Sequence, residues 1–205
     1  AVDLDPLLSF CKTNQLFLIE DVSQAHGAKY KGRRLGSIGD IGCFSCYPTK
    51  NLGAIGDAGL VTTNNLDLAD KVRMIREYGW QNRTSILPGR NSRLDEIQAA
   101  ILRIKLKYLD VDNQRRRNKA KFYHEKLSSL PIVLPKIHVN VEPVFHLFVI
   151  QVAKQKKLAS FLKKKGIIVG IHYPLPVHLH PAYKGRIVHS EDMSVTESLV
   201  NKVIS

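Results

Sequence analysis

Lys50 lies within Phe44-Ser-Cys-Tyr-Pro-Thr-Lys-Asn-Leu-Gly-Ala-Ile-Gly-Asp-Ala-Gly59, between an apolar run and a glycine-rich turn. A lysine amine attacks a carbonyl carbon and forms an imine when it is partly desolvated and held in one direction. Both conditions are within reach here. Ile41 to Phe44 reads as a buried strand, Ser45 ends it, and Pro48 stiffens the bend that follows. Gly53, Gly56 and Gly59 let the backbone come close to a ligand. Taken alone, the same stretch also fits a solvated loop lysine.

A second signal lies upstream. Leu16-Phe17-Leu18-Ile19 is a continuous apolar run that ends in Glu20-Asp21 and is followed by Ser23-Gln24-Ala25-His26-Gly27. Such a run predicts a strand of a parallel sheet buried on both faces. Ligands of such sheets bind beyond the carboxyl ends of the strands, which is where Asp21 falls. The alternative is an acid that caps the next turn.

Together these segments resemble the DegT/DnrJ/EryC1/StrS family of pyridoxal-phosphate (PLP) sugar aminotransferases. The resemblance runs through Glu20 to Ala28, Gly36 to Asp40, Phe44 to Gly59, Gly89 to Ala100 and His172 to Tyr183. The forms Asn91-Ser-Arg-Leu-Asp95 and Ile171-His-Tyr-Pro174 look most like members that aminate the 3-keto position of dTDP-6-deoxyhexoses. The fold this implies is α/β: part of the large domain of a fold type I PLP-dependent transferase, followed by a small C-terminal α+β domain.

The resemblance also implies roles. Lys50 would hold PLP as an imine and then move a proton between substrate and cofactor carbons. Asp21 would keep the pyridine nitrogen protonated, Gln24 would bond the phenolic oxygen, and Ser45 the phosphate. Asn91 would reach the phosphate of a partner subunit's cofactor, because sites in this family lie at a homodimer interface. His172 and Tyr173 would line the substrate pocket, and His26 is either structural or part of the site. The substrates implied are a keto-sugar nucleotide and an amino-acid donor such as glutamate, in deoxyaminosugar or surface (lipo)polysaccharide synthesis.

Family members begin with an N-terminal half that carries a phosphate-binding turn and a ring-stacking aromatic, and this chain opens just before Asp21. It therefore reads as a piece of a longer protein that stops within its small domain, with Ala58 in place of the commoner glycine. The rival expectation is a catalytically silent remnant or an interaction module on the same scaffold.

Composition sets outer limits on all of this. Of 205 residues 44% are hydrophobic, enough for a packed core, and the sequence offers neither an apolar run of membrane-spanning length nor a secretory leader pattern, so a cytoplasmic protein is expected. Thirty-one basic against 18 acidic residues give +13. The basic residues gather at Arg115 to Lys121 and Lys154 to Lys165 with Phe161 as their single interleaved aromatic, which predicts solvated helix faces rather than nucleic-acid binding. Cys43 and Cys46 match C-x-x-C on a predicted strand and read as small buried hydrophobes. His172, His178 and His180 sit among prolines with no carboxylate cluster in the sequence nearby, so no metal site is expected.

The elements that must hold these residues follow from periodicity. Residues 4–13 predict a helix, and 16–20, 41–47 and 59–63 predict strands. Asn64 or Asn65 caps a helix through Tyr78, with Gly79 past its end. A long helix runs from Ser92, with a box-like start at Ser92 and Asp95, through a kink near Asp110 to Leu130. Pro131 and Pro135 then divide a large-domain portion, 1–130, from a small domain, 131–205. The latter is predicted to hold strands at 146–152 and 167–171, a helix at 155–165 ended by Gly166, and a last helix capped by Ser194 with Glu197.

Overall fold

In the computed structural model, which describes residues 2–205, Asp3 accepts the Asp5 amide at 3.3 Å and starts α1, Leu4–Thr13. Strands β1 (Ile19–Asp21), β2 (Lys29–Tyr30), β3 (Arg33–Arg34), β4 (Ile41–Ser45) and β5 (Gly59–Thr62) follow. One sheet has the order β1-β4-β5, with β1 and β4 parallel and β4 and β5 antiparallel. β1 starts later than the apolar run predicts. Ile19 and Phe17 are exposed, because among the described residues only β4 pairs with β1.

Strand alternation sends Glu20 to the opposite face from Asp21. Buried there, the Glu20 carboxylate accepts the backbone N–H groups of Gly36 at 2.8 Å, Ile38 at 2.8 Å and Gly39 at 2.7 Å. One side chain thus fixes the loop between β3 and β4.

Helix α2, Leu66–Ile75, starts where Asn65 Oδ1 accepts the Leu68 amide at 3.1 Å, one of the two caps the sequence offers. It stops short of Tyr78, which takes a φ of +58°. Gly79 follows at +71°, and a Cβ there would come within 1.8 Å of the Leu87 carbonyl oxygen, so only glycine fits. A hairpin of β6 (Trp80–Gln81) and β7 (Thr84–Ser85) comes next. The predicted long helix is two: α3 (Glu96–Leu106) and α4 (Leu109–Leu127). Lys107 and Tyr108 bond three residues back, to Ile104 and Lys105, and this tightened turn breaks the rod ahead of Asp110. The cap of α3 is Asp95, without a side-chain bond, rather than a Ser92 box.

This first unit runs to Asn118 and takes back Ile137–His146, where β8 (Val141–Glu142) pairs antiparallel with β2. Two buried groups hold it together. Cys46, Leu52, Ala54, Leu102 and Leu109 pack with Ala58 under the glycine turn, and Leu4, Tyr30 and Val141 pack beneath α1.

The second unit comprises Lys119–Lys136 and Leu147–Ser205. It holds β9 (Ile150–Gln151), α5 (Gln155–Lys164), a 3-10 turn at Val177–Leu179, α6 (Ser194–Val200) and β10 (Val203–Ile204), with β9 and β10 antiparallel. The predicted strand at 146–152 contracts to β9. Residues 167–171 form no strand, although Gly170 and Ser205 exchange two backbone hydrogen bonds. Gly166, at φ +77°, ends α5 as expected. The acid at the start of α6 is Asp192, which accepts the Ser194 amide at 2.9 Å.

Candidate active site

Because β1 and β4 are parallel, Asp21 and Ser45 end their strands at one sheet edge, the place where such sheets meet ligands. Asp21 Oδ1 accepts the Ser23 amide at 3.0 Å. The Ser23 hydroxyl first and then this amide hold the carboxyl below the usual carboxylate range, partial burial opposes them, and the Lys50 charge adds a smaller downward push. Asp21 is therefore both a turn cap and an anion at the strand end.

The chain leaves β4 into the turn of Lys50. Three backbone bonds close it: Lys50 N–H to the Tyr47 carbonyl at 2.9 Å, Ala54 to Cys46 at 2.8 Å, and Cys46 to Ala58 at 2.8 Å. Half-buried Lys50 projects from this closed loop. From α3, Gln98 Oε1 accepts the Ile55 amide at 3.0 Å and Lys105 Nζ donates to the Gly53 carbonyl at 2.5 Å. Sequence reasoning gave neither residue a role. Their only signal is the helical spacing of seven that puts both on one face of α3.

His26 is 2% exposed, and its ring lies 5.5 Å from that of Phe44. Neither ring nitrogen has a hydrogen-bond partner among the described residues. Burial lowers its pKa most, the Lys50 charge lowers it further, and the nearby Ser45 backbone opposes this without a well-formed hydrogen bond. A neutral imidazole thus lies close enough to Lys50 to feel its charge, as does Asp21.

A chain of amides links the two turns. Asn51 Nδ2 donates to Asn113 Oδ1 at 2.9 Å and to the Val144 carbonyl at 3.1 Å, while Asn113 Nδ2 donates to the His26 carbonyl at 2.8 Å. The two acceptors orient the Asn51 amide, so its Oδ1 accepts from His146 Nδ1 at 3.2 Å and that nitrogen carries the proton. Asn113 on α4 is 1% exposed.

The first unit therefore brings together Asp21, Ser45 and Lys50, with exposed Gln24 on the turn after β1. Asn91 is exposed elsewhere in that unit, on a segment bridged to Glu77 at the end of α2. His172 and Tyr173 belong to the second unit, where both are exposed and His172 Nδ1 lies 2.9 Å from Ser205 Oγ. Cys46 is fully buried, and burial raises its thiol pKa, so it packs as a small hydrophobe. The sequence hides one acid near the histidines: Glu197 Oε1 lies 3.0 Å from buried His178 Nε2. Among the described residues no three metal-binding side chains cluster, and no helix is long and apolar enough to cross a membrane.

Comparison with known proteins extends this picture. The profile of the DegT/DnrJ/EryC1/StrS aminotransferase family matches residues 1–205. The chain is 43% identical over 205 residues to the dTDP-3-amino-3,4,6-trideoxy-alpha-D-glucose transaminase of Streptomyces venezuelae, covering 99% of this chain and 54% of that protein. It is also 43% identical over 206 residues to the dTDP-3-amino-3,6-dideoxy-alpha-D-galactopyranose transaminase of Aneurinibacillus thermoaerophilus, covering 100% and 56%. The chain spans about half the length of the curated relatives it matches. Among solved structures it superposes on S. venezuelae DesV with a TM-score of 0.95 at 43% identity, covering all of this chain and 56% of that one. A DegT DnrJ EryC1 StrS aminotransferase from Brucella abortus gives 0.94 at 32% identity, with coverages of 100% and 55%. The mixed α/β architecture is thus that of part of an aminotransferase fold.

Proposed function

This chain belongs to the DegT/DnrJ/EryC1/StrS aminotransferase family, and from that premise we propose that it serves PLP-dependent transfer of an amino group to a keto-sugar nucleotide. Glutamate is the proposed donor, a dTDP-3-keto-6-deoxyhexose the proposed acceptor, and a homodimer the proposed working form. Within the fold, residues 1–130 are the proposed large-domain portion and 131–205 the proposed small domain.

The observation that carries this reading is the shared edge of β1 and β4, where Asp21, kept anionic chiefly by Ser23, ends one strand and Ser45 ends the other just ahead of the Lys50 turn. These residues fit PLP by their chemistry. An anion suits a protonated pyridine nitrogen, a half-buried primary amine suits an aldehyde, and the Ser45 hydroxyl suits a phosphate oxygen. The unpartnered His26 ring beside them adds a neutral polar group that does not compete with Asp21 for that proton. When bound, PLP supplies an electron sink for negative charge at the substrate carbon.

The chain's own residues do the rest. Lys50 Nζ would be the amine that holds the cofactor's aldehyde carbon and the base that carries a proton at the substrate carbon. Asp21 would hold the ring nitrogen's proton, Gln24 would bond the phenolic oxygen and Ser45 the phosphate. Asn91 would reach a phosphate in the partner subunit, and His172 and Tyr173 would orient the sugar.

Incubation with glutamate labelled at its amine nitrogen, PLP and a dTDP-3-keto-6-deoxyhexose tests the reading. Label in a dTDP-aminosugar is the expected product. Labelled glutamate left unconverted, with the keto-sugar intact, contradicts the proposal.

A further inference from the structure

The residue next to Lys50 does not end in solvent. Asn51 is held through its side-chain amide by Asn113, and Asn113 in turn holds the backbone of the turn after β1 at the His26 carbonyl. That second turn begins at Asp21 and carries Gln24. Asn113 comes from α4, whose Leu109 also packs under the Lys50 turn, and at 1% exposure it has no access to a ligand. Its amide is used in both senses: the oxygen accepts from one turn and the nitrogen donates to the other.

We propose that Asn113 is a positioning residue, which sets the Lys50 turn against the Asp21–His26 turn through Asn51. The proposal rests on the PLP reading for its functional meaning, but its geometry does not require a cofactor. Two turns at adjacent strand ends have no ladder to keep them in register once the strands stop. The turn of Lys50 is closed by its own bonds and pinned on one side by Gln98 and Lys105 from α3; on the other side Asn51 bonds Asn113, the Val144 carbonyl and His146, and of these Asn113 is the one that also holds the turn after β1. Cutting that tie lets the Lys50 turn open more often and frees the direction of the lysine.

Two arms separate this proposal from the cofactor reading. The first is amide hydrogen exchange of the 205-residue chain without any ligand, comparing the unsubstituted protein with Asn113→Leu and Asn113→Asp. Asp keeps the shape and an acceptor for Asn51 but cannot donate to the His26 carbonyl when ionised. Either variant is expected to speed exchange at the Lys50 and Ala54 amides at least tenfold, with α2 amides such as Ala69 unchanged. Unchanged exchange at Lys50 and Ala54, or acceleration spread equally over α2, overturns the proposal, and general unfolding of both variants counts as the latter. The second arm is borohydride trapping of PLP, read by peptide mass spectrometry at Lys50. Its yield is expected to fall at least tenfold in both variants while acetylation of Lys50 by acetic anhydride persists. Absence of trapping in the unsubstituted chain speaks against the cofactor reading, and the exchange arm still decides the role of Asn113.

Discussion

Asp21 stands directly opposite Cys43 in the parallel pair of β1 and β4, which puts its carboxylate two residues before Ser45 along the neighbouring strand. The backbone ladder, rather than a flexible loop, therefore sets the spacing between the acid and the start of the Lys50 turn. A rigid element holds a charged pair in place more reliably than loops do.

Replacing Asp21 by Asn is expected to leave PLP attached and to slow amino transfer about a hundredfold, since the neutral amide no longer holds the ring nitrogen's proton. Single-turnover absorbance changes with glutamate measure it, and an unchanged rate would reduce Asp21 to a turn cap. The carboxyl is held below its ordinary range by Ser23 first and Lys50 last. A depressed folded pKa gives stability that is present above the unfolded value of about 4 and lost as pH falls through the folded value. Acid denaturation of Asp21→Asn should accordingly be less steep than that of the unsubstituted chain below about pH 4.

Glu20→Gln should destabilise the first unit by about 2–3 kcal/mol, because the amide NH2 replaces one carboxylate oxygen and faces a backbone donor, Gly36 N–H, while the remaining oxygen keeps Ile38 and Gly39 without the charge. Urea unfolding measures the loss. A change under about 0.5 kcal/mol would mean the three amides find water instead.

At Gly53 an added Cβ would lie 2.4 Å from the Pro48 carbonyl oxygen, inside the turn that presents Lys50. Gly53→Ala is expected to cost about 1–3 kcal/mol and to shift the turn, since the obstruction is backbone and cannot rotate away. Thermal unfolding reads the cost, and a variant with unaltered stability and unaltered Lys50 trapping would show that the turn yields freely.

Local signals in the sequence found local structure. The apolar spacing of residues 4–13, the Asn65 cap and Gly166 all act within one turn of helix, and each appears where its chemistry requires. That Asp21 and Ser45 end neighbouring strands and that Lys50 sits in a turn was legible because strand ends and glycine turns are local features too. Missed or misjudged features depend on distant partners. β2 is two residues long and, besides its hairpin partner β3, pairs with β8, where Tyr30 meets Val141 more than a hundred positions away. Ile167 to Ile171 has strand composition but, among the described residues, pairs across the chain only at Gly170, with Ser205. Asn51 and Asn113 are 62 positions apart, and no periodicity announces that their amides meet.

The most direct measurement is where PLP attaches. The 205-residue chain is mixed with PLP, reduced with borohydride, digested and mapped by mass spectrometry, with Lys50→Ala alongside. The account predicts a pyridoxyl adduct concentrated on Lys50 in the unsubstituted chain and lost in the variant, whose circular dichroism is unchanged. Adducts distributed over exposed lysines such as Lys71 and Lys121, with equal yield in Lys50→Ala, would contradict it.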